Sequence, residues 1–129
     1  MWKNFILGGL LLTSFGASAE CWVVKNLTGQ SQFSPEYKSQ PDKAVGIYFV
    51  SINNNSATLS SANNIYDSGL NYFPTSPLSM MGVASYERGY FIETWAITHD
   101  KKAIYTKVRI TEGGHNQLSS FIGDVTGKC

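Results

Sequence analysis

Residues Tyr90–Cys129 decide the fold, and they read YFIETWAIT, HDKK, AIYTKVRI, TEGGHNQL, SSFIGDV and TGKC in succession. Three of these segments, Tyr90–Thr98, Ala103–Ile110 and Ser119–Val125, are rich in the β-branched and aromatic residues that favour strands. The polar segments between them are short, and neighbouring strands joined by short turns pair antiparallel. The stretch therefore predicts a three-stranded antiparallel meander that ends at a terminal cysteine.

The alternation of residues along these strands predicts which side chains face the core. In Tyr90–Thr98, the face that holds Trp95 also holds Glu93, so Glu93 either rims the domain or has a buried partner. In the next strand, the aliphatic face is predicted to point inward and the polar face outward. The inward set is Ile104, Thr106, Val108 and Ile110, and the outward set is Tyr105, Lys107 and Arg109.

The chain before Tyr90 adds further short strands and no amphipathic helix. Strands are predicted at Cys21–Val24, Met80–Ala84 and in a hairpin over Val45–Ser60 that turns at Asn53–Ser56, with a weaker candidate at Asn63–Tyr66. The polar segment Gln30–Lys43 is predicted to be a surface loop with at most one helical turn. The fold class is all-β: a small antiparallel meander of six to eight strands, closed as a barrel or a two-sheet sandwich.

The N-terminus has the composition of a secretory signal peptide. Lys3 precedes an apolar run from Phe5 to about Phe15, and the small residues Ala17-Ser18-Ala19 form a cleavage site. The apolar run is shorter than the roughly 20 residues of a membrane span. Residues 1–19 are therefore predicted to be cleaved, leaving residues 20–129 as a single periplasmic or secreted β domain with no membrane insertion.

The two cysteines, Cys21 and Cys129, lie at the two ends of this domain. In an exported chain such a pair predicts one structural disulfide. No CxxC motif is present, and no histidine lies near either cysteine in the sequence, which argues against a redox or metal role.

The net charge of the domain argues against nucleic-acid binding. Lys3 is the only one of the ten basic residues in the leader, so nine basic residues remain against nine acidic ones. Nucleic-acid binders carry basic patches, and this domain is formally neutral with dispersed charges. We therefore predict no nucleic-acid partner.

Nothing in the sequence predicts catalysis, a cofactor or a metal. The two histidines, His99 and His115, fall in predicted loops, and the sequence contains neither GxSxG nor HExxH. His99-Asp100 and Glu112 with His115 offer at most two ligands each, whereas a structural zinc site needs four. No catalytic residue, cofactor or metal ligand is therefore assigned.

The segment Asp67–Pro77 is the predicted functional region. It combines turn-forming Ser, Gly and Pro residues with two large side chains, Tyr72 and Phe73. Large apolar residues in a loop either plug the end of a barrel or face a partner. The candidate partner-binding residues are Ser68, Gly69, Tyr72 and Phe73.

Two resemblances bear on function. Cys21-Trp22, Glu93-Thr94-Trp95, Lys102-Ala103-x-Tyr105-Thr106 and the closing Gly123-x-Val125-x-Gly127-x-Cys129 resemble a group of small exported enterobacterial proteins of uncharacterised function. Ser68-Gly69-Leu70-Asn71-Tyr72 resembles the SGxxY segment of the periplasmic inhibitors of c-type lysozyme, which are small disulfide-stapled barrels. The second resemblance implies that Ser68 and Tyr72 are inhibitory contacts.

The predicted function is that of a non-enzymatic secreted or periplasmic binding protein with a protein partner. An inhibitor or an immunity-type protein that acts on a cell-envelope hydrolase through loop residues is its concrete form. Two alternatives stay open, a small-ligand carrier with a barrel cavity and an unrecognised hydrolase. The sequence leaves the oligomeric state unknown.

Overall fold

The computed structural model describes residues 19–62 and 70–129, and within these ranges the regular structure is entirely β. Nine strands are present: β1 (Glu20–Phe33), β2 (Ser39–Ala44), β3 (Tyr48–Ile52), β4 (Ala57–Ser61), β5 (Asn71–Ser76), β6 (Ser79–Tyr86), β7 (Gly89–Ile97), β8 (Lys102–Thr111) and β9 (Gln117–Lys128). The all-β prediction is confirmed. The weak strand candidate Asn63–Tyr66 lies outside the described residues.

The strands form one nearly closed antiparallel barrel. Their order is β4-β3-β1-β9-β8-β7-β6-β5, so eight strands lie on the barrel path and β4 and β5 meet at its ends. From β5 to β9 each strand pairs with the next one in sequence, which is the predicted meander. β1 then pairs with β9 and joins the two ends of the chain.

The long strand β1 carries two shorter strands along one edge. Its first half pairs with β3 and its second half with β2, and the β3–β4 hairpin turns at Asn53–Ser56 as predicted. Residues 45–47 connect β2 to β3, and Gly46 there has a φ of +123°, a conformation open to glycine. The predicted strand over Val45–Ile52 therefore begins only at Tyr48.

The predicted surface loop at Gln30–Lys43 is wrong. β1 continues to Phe33, and the chain then turns through a cis Ser34-Pro35 bond. It returns as β2, which pairs antiparallel with β1, for example Pro41 with Gln30. Polar residues suit this hairpin because much of it is exposed. Pro41 is tolerated because β2 pairs with β1 alone, and proline is confined to such edge strands.

The disulfide Cys21–Cys129 is confirmed, with a Cα–Cα distance of 5.2 Å across a sequence separation of 108 residues. The Cys129 backbone N–H also donates to the Cys21 carbonyl at 3.0 Å, so the two cysteines are linked by a hydrogen bond as well as by the disulfide. The chain-entropy model gives about 4–5 kcal/mol for closing a loop of this size.

The predicted orientation of β8 is wrong. Ala103 and Tyr105 are buried, whereas Ile104 is 40 % exposed. Lys107 and Arg109 share the inward side with Tyr105, and the aliphatic face points out of the barrel. The physical reason is that Tyr105 fills the barrel centre between Trp95 and Phe121, and the alternation of a strand then fixes every other side chain.

Candidate functional site

The predicted partner-binding segment is divided by the structure. Ser68 and Gly69 lie outside the described residues. Tyr72 and Phe73 belong to β5, which pairs regularly with β6, so the prediction that they lie in irregular chain is wrong. Because successive side chains of a strand point to opposite faces, Tyr72 and Phe73 are on opposite sides of the barrel wall.

Tyr72 points into the barrel. Its hydroxyl donates a hydrogen bond to the Glu93 Oε1 atom at 2.7 Å, and its ring packs against the core. Gly82 on the neighbouring strand makes room for the ring, since a Cβ atom there would lie 2.5 Å from a Tyr72 ring carbon. The contact ties β5, one of the two strands at the closure of the barrel, to β7.

Glu93 is a buried carboxylate with both oxygens bonded. It is 1 % exposed, and the Tyr105 hydroxyl donates to its Oε2 atom at 3.0 Å while Tyr72 occupies Oε1. Of the two predicted places for Glu93, a buried partner is the one found. Burial and the nearby Glu93 charge together raise the pKa of Tyr48, because both disfavour a tyrosinate.

An aromatic layer fills the centre of the barrel next to this carboxylate. Trp95 stacks on Tyr105 with ring centroids 4.1 Å apart, and Tyr105 stacks on Phe121 at 5.5 Å. The three residues are in register across β7, β8 and β9. Tyr48 closes the row from β3, 5.7 Å from Trp95.

A polar layer follows on the side away from the disulfide. Glu93, Lys107, Ser119 and Ser31 are in register across four neighbouring strands. The Ser31 and Ser119 hydroxyls bond each other at 2.5 Å, and both residues are fully buried. Ser31 also donates to Asp42, and the Gln117 amide donates to Ser119. This end of the barrel, which we call the polar mouth, is thus built from paired hydrogen-bonding groups.

A small pocket of about 200 Å³ lies in the polar mouth. Its apolar wall is the aromatic layer, and Asp42, Lys107 and Gln117 contribute polar groups. Two buried donors of this region lack a hydrogen-bond partner among the described residues: the Trp95 Nε1–H and the Arg109 Nε–H. Trp95 lines the pocket, and Arg109 follows Lys107 on the same inward face of β8.

The outside of the same strands is apolar. Phe73 is 43 % exposed and begins a surface that continues over β6, β7, β8 and β9, here called the outer apolar face. One transverse row of it is purely aliphatic, with Val83, Ile92, Val108 and Leu118 in register. The face consists of Phe73, Met81, Val83, Tyr90, Ile92, Thr94, Ala96, Ile104, Thr106, Val108, Ile110, Leu118, Ser120 and Ile122.

Charges lie only at the borders of the outer apolar face. At the disulfide end, Lys102 and Asp124 form an ion pair at 2.8 Å. The lysine and an Asn26 hydrogen bond lower the pKa of Asp124, because they stabilise its charged form. At the polar mouth, Glu87 and Arg88 occupy the β6–β7 turn. The face therefore has an uncharged centre and a charged rim.

The structure assembles no recognisable catalytic or metal site from the described residues. His99 and His115 lie in the β7–β8 and β8–β9 connections, on opposite ends of the barrel. Within residues 19–62 and 70–129, no group of three or more His, Cys, Asp and Glu side chains could hold a metal ion.

Family models and curated proteins give no indication of the function of this chain. Neither a family model nor a curated protein matches the sequence. A search of the described residues for a helix long and apolar enough to cross a membrane found none.

Sequence reasoning missed most of the outer apolar face because it placed the aliphatic side of β8 inside. A usable indication was present in two pairs of adjacent large residues, Ile104-Tyr105 and Phe121-Ile122. Members of such a pair point to opposite faces of a strand, so one apolar residue of each pair must face outward.

Proposed function

We propose that this chain is a non-enzymatic, exported binding protein whose partner is a folded protein that docks on the outer apolar face. The observation that carries the proposal is the uncharged centre of this face on β5–β9. Ile104 is 40 % exposed, Leu118 46 % and Ile122 56 %, and all three belong to one continuous surface. Monomeric proteins rarely expose a large contiguous apolar surface unless it binds something.

The charges around the face favour a protein over an anionic lipid surface or a nucleic acid. Both of those partners are recognised through clustered Lys and Arg residues. Here the rim pairs Lys102 with Asp124, and Arg88 stands beside Glu87, so the rim has no excess of positive charge. A partner with its own uncharged apolar centre complements such a surface best.

The interior favours a binding protein over a carrier of large ligands. Trp95, Tyr105 and Phe121 occupy the barrel centre, and the pocket beside them measures about 200 Å³. Sites for drug-sized ligands measure roughly 300–1,000 Å³. A lipid or a cofactor therefore needs more space than this pocket offers.

Within this proposal, we place the partner among cell-envelope hydrolases and the site of action in the periplasm or outside the cell. Export is supported by the leader composition and by the disulfide. The hydrolase rests on the resemblance of Ser68-Gly69-Leu70-Asn71-Tyr72 to the lysozyme-inhibitor segment, although Tyr72 itself points into the barrel and is not one of the docking contacts proposed for this chain. In this arrangement the chain acts by occupying the enzyme and performs no chemistry itself.

The test is affinity capture by the immobilised mature domain, residues 20–129, followed by reconstitution with the purified partner. The double variant Phe73→Thr/Ile104→Thr places two polar β-forming residues on the outer apolar face. We expect it to reduce capture at least about tenfold, since loss of two buried anchors costs more than 1.4 kcal/mol.

Val45→Thr is the matched control, because Val45 is 77 % exposed and lies outside the face. It should capture the partner like the parent domain. Equal capture by the double variant and the control would remove the face as the binding site. A concentration-dependent dimer in sedimentation, abolished by the double variant, would assign the face to a second copy and overturn the proposal, as would binding to vesicles of neutral or anionic lipid.

A further inference from the structure

The polar mouth contains buried hydrogen-bond donors that have no acceptor among the described residues. Trp95 is 1 % exposed, and its buried Nε1–H has no acceptor in the part of the chain that the structure describes. The Arg109 residue is half-buried, but its Nε–H is buried and also has no acceptor within residues 19–62 and 70–129. A buried donor without an acceptor costs about 1–3 kcal/mol, so a partner for these groups is expected.

The lysine between them has no anionic partner in the described part of the chain. Lys107 lines the pocket. The ion pairs found among the described residues are Lys102–Asp124 and Lys128–Glu20, and neither includes Lys107. Lysine and arginine side chains and the indole nitrogen are donors with no acceptor function. All three groups therefore need the same complement, an atom that accepts hydrogen bonds.

The two carboxylates nearest the pocket already accept hydrogen bonds from other groups. Glu93 accepts from the Tyr72 and Tyr105 hydroxyls, one at each oxygen. Asp42 accepts from the Ser31 hydroxyl at Oδ2 and from the Lys43 backbone N–H at Oδ1. Neither carboxylate forms an ion pair with Lys107 or accepts from the Trp95 indole N–H.

We propose that the pocket of the polar mouth binds a carboxylate group, which accepts from the Trp95 indole N–H and the Lys107 ammonium. The carboxylate carries a short apolar stem that lies against the ring wall of Tyr48, Tyr105 and Phe121. A volume of about 200 Å³ admits a group of this size. Arg109 is in register with the pocket-lining residue Gln117 and adds a second positive charge to this end of the barrel. This site is separate from the outer apolar face and does not depend on it.

Two sources supply this chemistry, a free small carboxylic acid or an acidic side chain of a protein. Propionate is the probe for the first, and a blocked glutamate, N-acetyl-glutamate-amide, is the probe for the second. Propionamide and N-acetyl-glutamine-amide have the same shapes without the charge and serve as controls. Titrations at constant ionic strength remove the general effect of salt.

The readout is the indole N–H region of a nitrogen-15 NMR spectrum. The mature domain contains two tryptophans, Trp22 and Trp95, so the spectrum has two indole signals and Trp22→Phe assigns them. We expect the Trp95 signal to move downfield and to saturate with a carboxylate, and to stay in place with the matching amide.

Substitution of Lys107 tests the site without removing a core ring. Lys107→Gln should weaken carboxylate binding about tenfold or more, because a hydrogen bond to a charged group is worth about 1.5–3 kcal/mol. Lys101→Gln, in the β7–β8 turn at the other end of the barrel, should leave binding unchanged.

Each outcome decides the proposal. A saturating shift with propionate assigns a free acid, and a shift with the blocked glutamate alone assigns a protein side chain. No saturating shift with either probe, or equal shifts with the amides, would mean that water satisfies Trp95 and would overturn the proposal. Equal affinity of Lys107→Gln and the parent domain would overturn it as well.

Discussion

Tyr72 and Phe73 are neighbours in the sequence and belong to opposite sides of the same wall. Tyr72 is held in the barrel by a 2.7 Å hydrogen bond to Glu93, and Phe73 stands outside with 43 % of its surface exposed. Two adjacent aromatic residues of one strand can therefore have different roles. Its inner residue closes the barrel, and its outer residue is available to a partner.

The same contrast extends over β5–β9. The inner side combines an aromatic layer with a hydrogen-bonded polar layer, whereas the outer apolar face has no charged residue between its borders. Antiparallel sheets usually place the apolar face inside and the polar face toward water. Along β5–β9 this barrel has a partly polar inner side and an apolar outer side, which is the reason for assigning binding to that part of the exterior.

The largest expected effect is on the closure that holds both faces in place. Cys129→Ser removes the disulfide, and we expect the free energy of unfolding to fall by about 4–5 kcal/mol. Urea denaturation with and without reductant measures it, and reduction of the parent domain should give the same midpoint as the variant. An unchanged midpoint would mean that β1–β9 pairing alone holds the termini together.

The next effect belongs to the inner side. Tyr72→Phe leaves the ring in place and removes the donor to Glu93 Oε1, so a buried carboxylate oxygen loses its partner. We expect a loss of about 1–3 kcal/mol in the free energy of unfolding. Tyr86→Phe is the matched control, since Tyr86 is 55 % exposed. Equal midpoints for the two variants would show that the Tyr72–Glu93 bond contributes nothing.

A smaller effect of the inner side appears at alkaline pH. The pKa of Tyr48 is raised in the fold by burial and by Glu93. The unfolded chain then loses the proton first, so the stability contribution is present below pH of about 10 and declines as pH rises toward the folded pKa. Midpoints measured from pH 8 to 11 should fall less steeply in Tyr48→Phe than in the parent domain; parallel curves would refute this.

The smallest effect on stability is expected on the outer side. Phe73→Thr exchanges an exposed aromatic residue for another strand former, and the free energy of unfolding should change by about 0.5 kcal/mol or less. Thermal denaturation checks it against the parent domain. A loss as large as that of Tyr72→Phe would place Phe73 in the core and remove the contrast between the two residues.

The sequence predicted the elements of this fold better than their orientation. Two cysteines at the ends of the domain were enough for the disulfide, and the meander after Met80 was readable from alternation and turns. The orientation of β8 was predicted wrongly because the alternation of side chains separates two faces without showing which one is inside. The choice between them was made from hydrophobicity alone. The stacking of Tyr105 between Trp95 and Phe121 depends on neighbouring strands and cannot be read from one strand.

Polar strands were the second difficulty. Gln30–Gln32 and Ser39–Ala44 lack the residues that favour strands, and β5 contains Pro74. They form because an established partner, β1, β9 or β6, offers its edge for pairing. Of the predicted candidate residues, Phe73 is exposed on the outer apolar face, and the rest of that face depends on the register of five strands.

The measurement that tests the division of roles most directly compares Tyr72→Phe with Phe73→Thr for capture of the same purified partner, at a temperature where both variants are folded. We expect Phe73→Thr to lose affinity by about fivefold or more, the range for one interface anchor. Tyr72→Phe should bind like the parent domain despite its lower stability. Loss of binding in Tyr72→Phe with full binding by Phe73→Thr would contradict this division of roles.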